Sequence, residues 1–157
     1  VIRGTPVVVQ LVIIYYAILG SSSLPKIAVA SIAFGLNSGA YVCELIRAGI
    51  MAVDKGQMEA ARSLGFSYSQ AMTYIIIPQA VKNILPALVN EFIVLLKETA
   101  IAGYIALDDL TRAGNIIRGR TFDAYTPFIL VAAIYLYITT ILTWMLGKLE
   151  RRLRESD

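Results

Sequence analysis

Apolar residues fall into four long runs, separated by polar stretches of differing character. The runs extend from Val7 to Leu19, from Ile27 to about Ile50, from Ile84 to about Leu107, and from Pro127 to about Gly147. A helix needs roughly 20 apolar residues to cross a hydrocarbon core. The pattern predicts an all-α polytopic membrane protein with four spanning helices.

The punctuation between the runs supports that division. Thr5 is placed to cap the first helix, with Pro6 at its first position, where no N–H is required. Gly20-Ser21-Ser22-Ser23-Leu24-Pro25 reads as a loop. The second run is rich in small residues, among them Ala28, Ala30, Ser31, Ala33, Gly35, Ser38, Gly39 and Ala40. Small side chains let membrane helices approach closely, which points to an interior or subunit-facing helix. Cys43 in this run reads as a small buried hydrophobe. The stretch from Ala106 to Tyr125 is a mixed polar loop, with a short helix expected over Leu107 to Arg118.

Residues 51–82 form the most distinctive polar stretch. Asp54 with Gln57 and Ser67 with Gln70 each match a capping box. Gly65 is placed to end a helix in the left-handed conformation. Pro78 is expected to interrupt the helix that follows, and Pro86 to sit near the first turn of the third span. The prediction is a short helix, a glycine turn and a second short helix at the membrane surface.

Composition agrees with a membrane chain. Of its 157 residues, 57% are hydrophobic and 16% charged, and mean hydropathy is +0.68. The formal net charge of +3 is too small to argue for nucleic acid. One cysteine and no histidine exclude an intrachain disulfide and histidine-based metal or general-base chemistry. No phosphate-binding Gly-x-x-x-x-Gly-Lys-Ser/Thr occurs, so ATP binding by a P-loop on this chain is not expected. No catalytic constellation is apparent.

Four spans place Arg3, Arg47, Lys55, Arg62, Lys82, Lys148, Arg151, Arg152 and Arg154 on one side. Lys26, Arg112, Arg118 and Arg120 fall on the other. The positive-inside rule then assigns residues 51–82 and the C-terminal tail to the cytoplasm.

Charges within the spans are costly and therefore informative. Asn90, Glu91, Lys97 and Glu98 all fall in the third run, with Lys97 and Glu98 well inside it. Glu91 and Glu98 are seven apart and share a helix face; Asn90 and Lys97 share the neighbouring one. Such a helix could meet a zwitterion along a substrate path, or pair structurally with other helices. Glu44 and Arg47 are three apart and suited to a local ion pair at a helix end or subunit contact.

Glu59-Ala60-Ala61, three positions, Gly65, nine positions and Ile75-Ile76-Ile77-Pro78 resemble the EAA loop of permease subunits of ATP-binding-cassette importers. Ile77 replaces the usual leucine. Three further stretches resemble the polar amino-acid branch of these permeases. They are Arg3-Gly4-Thr5-Pro6-Val7-Val8-Val9-Gln10-Leu11, the segment Asn37-Ser38-Gly39-Ala40-Tyr41 through Glu44, Arg47 and Ile50, and Leu95-Leu96-Lys97-Glu98-Thr99. Cys43 replaces a usual alanine.

The resemblance implies a single type-1 transmembrane domain over residues 1–157, with residues 51–82 as its cytoplasmic loop and a further membrane helix upstream. It implies a permease, not an enzyme, of a cell or inner membrane. ATP and Mg would be bound by a partner ATPase dimer, into which Glu59, Ala60, Ala61, Arg62 and Gly65 would dock. A second permease, identical or homologous, would complete the pathway, with Asn37, Ser38, Glu44 and Arg47 at helix or subunit contacts. An extracytoplasmic binding protein would deliver a polar amino acid past Asn90, Glu91, Lys97 and Glu98. Membrane lipid is the remaining partner, and no nucleic acid is implied. Two other readings remain: a permease for another small organic solute, and a non-transporting scaffold or sensor that keeps the docking loop.

Overall fold

The computed structural model describes residues 2–154, with side chains through Arg151. All described regular structure is helical, as the sequence predicts. A 3-10 turn at Ile2–Gly4 precedes α1 (Val7–Val12), which widens into π-helix over Ile13–Ile18. Then come α2 (Lys26–Met51), α3 (Lys55–Ser63) and α4 (Tyr68–Ala71). A π-helical stretch, Met72–Ile76, joins α4 to α5 (Ile77–Glu98). A 3-10 stretch, Thr99–Ile105, leads on to α6 (Leu110–Thr121) and α7 (Tyr125–Arg154).

Among the described residues, two helices are long and apolar enough to cross a membrane: α2, and α7 over Tyr125–Arg151. Val7–Ile18 is a shorter apolar helix. The 22 residues of α5 would extend about 33 Å at 1.5 Å per residue. Lys82, Asn83, Asn90 and Glu91 interrupt its apolar character.

Small residues bring the helices together. Leu11 of α1, Ala30, Ala33 and Phe34 of α2, and Ala102 and Ile105 of the 3-10 stretch form the buried core. A Cβ on Gly49 would collide with Ile84 Cγ1, so α2 and α5 approach closely at that point. Along α2, Val29, Ala30, Ala33, Phe34, Asn37 and Gly49 are buried, but Cys43, expected to be a buried hydrophobe, is not. That thiol is exposed, because α2 turns its Val29, Ala30, Ala33 and Phe34 side to the core and leaves Cys43 outside it.

Several local expectations are corrected. Thr5 does not cap α1. Pro6 occupies the cap position, and the Thr5 hydroxyl donates to Ile2 O at 3.2 Å. Pro78 does not interrupt its helix, because it falls in the first turn of α5, where a missing N–H is tolerated. That helix begins at Ile77, earlier than the hydropathy pattern suggests, which leaves Pro86 inside it. The loop helix begins at Leu110 instead of Leu107, because Asp109 supplies its cap.

The second polar loop is held from α7. Gly114 of α6 packs closely on Val131 and Phe128. Asp123 accepts from the Tyr125 N–H at 2.9 Å and the Thr126 N–H at 3.4 Å. Hydrogen bonds from the Thr126 side chain, then from these backbone groups, hold its carboxyl below the usual range. At the far end of α7, Lys148 Nζ lies 3.6 Å from the Trp144 ring centroid. The side chains of Arg152 and Arg154, part of the basic tail, lie outside the described residues.

Candidate functional site

The polar hairpin is built by its caps. Asp54 caps α3 as expected, but its Oδ1 accepts from Gly56 N at 2.7 Å, and no reciprocal bond from Gln57 forms. Gln57 instead accepts from Gln79 Nε2 at 3.5 Å, tying α3 to the start of α5. The second capping box is complete: Gln70 N donates to Ser67 Oγ at 3.2 Å, and Ser67 N to Gln70 Oε1 at 2.8 Å.

Between the caps, Gly65 adopts φ +89°. Its N–H bonds to Arg62 O at 3.1 Å, and Phe66 N–H to Ala61 O at 3.2 Å. This is the paired bonding of a Schellman motif, and it satisfies carbonyls that the helix end would otherwise leave open. Arg62 adds a third link, its guanidinium donating to Phe66 O at 3.1 Å. Arg62, which the resemblance implies would dock into the ATPase, thus also closes the turn.

The two alanines of the motif part ways. Ala61 is 1% exposed. It cannot lie on a docking surface together with exposed Ala60, because α3 packs one side against α4 and the π-helical stretch, and Ala61 is on that side. The exposed side carries Gly56, Ala60 and Leu64 at four-residue intervals, a single helical face. Leu64 is 79% exposed, and Tyr68 and Tyr74 are 64% and 69% exposed. Sequence reasoning missed these three. The available signal was large apolar and aromatic side chains within a stretch otherwise polar.

The polar residues of the longer helices form two groups. Asn37, 3% exposed, donates from Nδ2 to Gln10 Oε1 at 3.1 Å. Gln10 in turn donates to the Thr5 hydroxyl and to the Thr5 and Ile2 carbonyls. Arg47 Nε donates to Glu44 Oε2 at 3.0 Å, confirming that pair. Arg3 joins it, 3.7 Å from Glu44 Oε2 and over the Tyr41 ring.

Ser38 Oγ donates to Glu91 Oε1 at 3.4 Å, joining α2 to α5. Asn90 and Lys97 are exposed and hold no hydrogen bond or ion pair among the described residues. Glu98 is half-buried. Lys97 and Glu98 are not mid-helix: they are the last two residues of α5. Thr99 Oγ1 donates to Leu96 O at 2.6 Å as the chain tightens into 3-10 geometry. A lysine in the last turn complements the helix dipole.

Comparison with known proteins gives a consistent picture. Residues 1–155 match the family model described as binding-protein-dependent transport system inner membrane component. The chain is 44% identical over 159 residues to the arginine transport system permease protein ArtQ of Bacillus subtilis, covering all of this chain and 73% of that protein. It is 37% identical to the glutamine transport system permease protein GlnP of Escherichia coli, over 98% of this chain and 72% of that one. A crystal structure described as an amino acid ABC transporter with histidines aligns with a TM-score of 0.92 and 52% identity. That alignment covers 96% of this chain and 71% of the other. ATP in such systems is bound by a separate ATPase subunit, and the permease is not itself catalytic. The chain therefore belongs to the family of binding-protein-dependent transport system inner membrane components.

Proposed function

We propose that this permease carries a polar amino acid inward and couples to its ATPase through α3. The observation that carries the coupling role is the polar hairpin itself: an exposed face of Gly56, Ala60 and Leu64, held rigidly by the Asp54 cap and the Gly65 turn. Two small residues allow close approach, and exposed Leu64 supplies an apolar anchor on the same face. A face of this kind suits a groove on a soluble partner, because the membrane gives it nothing to bury against.

In this reading α1, α2, α5 with its 3-10 extension, and α7 are the four spans of one transmembrane domain covering residues 1–157. Residues 51–82 face the cytoplasm. A second permease completes the pathway, with Asn37, Ser38, Glu44 and Arg47 setting helix and subunit contacts. An extracytoplasmic binding protein delivers the substrate. The polar amino-acid class rests on the ArtQ and GlnP relatives and on the α5 residues Asn90, Glu91, Lys97 and Glu98.

The test is ATP hydrolysis by the reconstituted complex of permease, ATPase and binding protein, with a panel of arginine, glutamine, histidine and other small solutes. Stimulation by a polar amino acid is expected. Stimulation only by a solute of another class would overturn the substrate assignment, and a complex that never responds would overturn transport.

A further inference from the structure

We infer that the projecting end of α6, with Ile116, Gly119, Arg120 and Phe122 on its outer side, is the surface on which the extracytoplasmic binding protein docks. The inference rests on the importer reading above: with α3 in the cytoplasm, the single span α5 carries the chain to the opposite side, where α6 lies.

Only the first half of α6 is anchored. Asp109 caps it and also accepts from Gly103 N at 3.0 Å. Gly114 packs against Phe128 and Val131 of α7. From Asn115 to Phe122 every residue is exposed. One side of this end turns back toward α7. The Arg118 guanidinium lies 6.0 Å from the Phe128 ring centroid, and Ile117 and Thr121 line a small cleft with Pro127 and Leu130. Gly114, Ile117, Arg118 and Thr121 follow helical spacing, so Ile116, Gly119 and Arg120 occupy the side that faces away. Nothing lies within 4 Å of a Cβ placed on Gly119, so a partner can approach the backbone there.

The end of the helix is exposed but held. Phe122 N donates to Arg118 O at 2.9 Å, and Asp123 N to Thr121 Oγ1 at 3.3 Å. Asp123 then accepts from Tyr125 N at 2.9 Å, at the start of α7. Phe122 sits at φ 56° and is 94% exposed. Glycine fills a left-handed helix end at least cost. A phenylalanine stands here instead and gains no burial from this fold.

The composition fits a soluble protein better than a lipid surface. A helix lying in the membrane interface needs a continuous apolar face, and Gly119 and Arg120 interrupt the outer side. Aromatic and arginine side chains are the types that dominate protein interfaces. A turn already held in place loses little freedom on binding. Arg112 is paired with Asp108 at 3.2 Å, whereas Arg120 makes no ion pair among the described residues. The partner surface that fits is an apolar pocket with an acidic rim. The family depends on a binding protein, which supplies a soluble partner for this side.

Phe122→Gly separates docking from folding. Glycine suits the left-handed position, so a residue that merely ends the helix can be replaced by it without loss. The reconstituted complex is titrated with binding protein loaded with arginine, glutamine or histidine. ATP hydrolysis and the thermal midpoint are recorded. The expected result is a roughly tenfold rise in the binding-protein concentration that gives half-maximal stimulation, as for loss of an aromatic anchor from an interface. The rate at saturation and the thermal midpoint should stay at wild-type values. Arg120→Glu should raise the same concentration, and by less at high salt, because exposed charges are screened. Ile116→Ser, on the same outer side, carries the test if either variant fails to assemble. Half-maximal concentrations equal to wild type would overturn the docking surface alone. Variants that separate the two permease subunits would also overturn it, making this a permease contact. So would an effect that follows lipid composition and not binding protein, making it a membrane anchor. A wild-type complex that no loaded binding protein stimulates would overturn the importer reading and the docking surface with it.

Discussion

Ser38 Oγ and Glu91 Oε1 lie 3.4 Å apart, joining the small-residue helix α2 to the polar face of α5. Both are half-buried. The hydroxyl gives a carboxylate within the helix packing a donor where water is scarce. Ser38→Ala should cost about 1 kcal/mol of stability, the net value of one such bond. Glu91→Gln should cost less, since an amide oxygen still accepts. If the pair acts as a unit, the double variant should fall short of the summed single effects by about 0.5 kcal/mol or more. Thermal unfolding of the detergent-solubilised protein measures this, and strict additivity would remove the pairing.

Gly65 at φ +89° sets the angle between α3 and α4. No atom would meet an added Cβ within 4 Å, so backbone conformation, not crowding, restricts this position. A β-branched residue there should cost about 1–2 kcal/mol locally, the penalty of left-handed backbone for L-residues. Gly65→Val should therefore insert in the membrane at normal level but bind the ATPase poorly and transport slowly. Normal uptake at normal expression would show that the turn does not set coupling.

Leu64 and Ala60 offer a cleaner separation of docking from folding. Both are exposed and four residues apart on α3. Leu64→Glu should change stability within about 0.5 kcal/mol, as is usual for surface substitutions. It should nevertheless lower retention of the ATPase on the purified permease. Ala60→Trp should do the same by blocking close approach. Ala61→Trp should instead destabilise the hairpin, because Ala61 is 1% exposed and has no room for an indole. Equal effects at positions 60 and 61 would contradict the division between them.

This last contrast marks what the sequence could reveal. The helices, the Asp54 cap, the Ser67–Gln70 box and the Gly65 turn were legible because each depends on residues within a few positions of one another. The Glu44–Arg47 pair was legible for the same reason. What was lost is set by packing. Ala60 and Ala61 are identical in type, and only the approach of α4 distinguishes them. Cys43 is apolar enough for a core, but α2 turns its other side inward. The end of α5 was hidden because Ile101, Tyr104, Ile105 and Leu107 prolong the hydrophobic pattern while the backbone tightens beneath it. Asp109 does not stand out from the polar loop in the sequence, because its second partner, Gly103, lies in a different element.

The corrected position of Lys97 and Glu98 sharpens the substrate-path test. Charge within the hydrocarbon core costs roughly 2.5–3.5 kcal/mol on insertion scales. At the end of α5, followed by a 3-10 stretch, the two residues can reach polar surroundings more easily than mid-span. Their presence alone is therefore weaker evidence for a pathway than the sequence suggested. Their difference in exposure supplies a better criterion. Lys97 is exposed and Glu98 half-buried, as expected of neighbours about 100° apart on a helix of 3.6 residues per turn. If the pathway runs past Lys97, Lys97→Met should change the selectivity of amino-acid-stimulated ATP hydrolysis while assembly stays intact. Glu98→Gln should then act mainly on stability or expression. The reverse pattern would assign the pathway to Glu98. Unchanged uptake kinetics and selectivity in both variants would place substrate recognition elsewhere, with the binding protein as the remaining source.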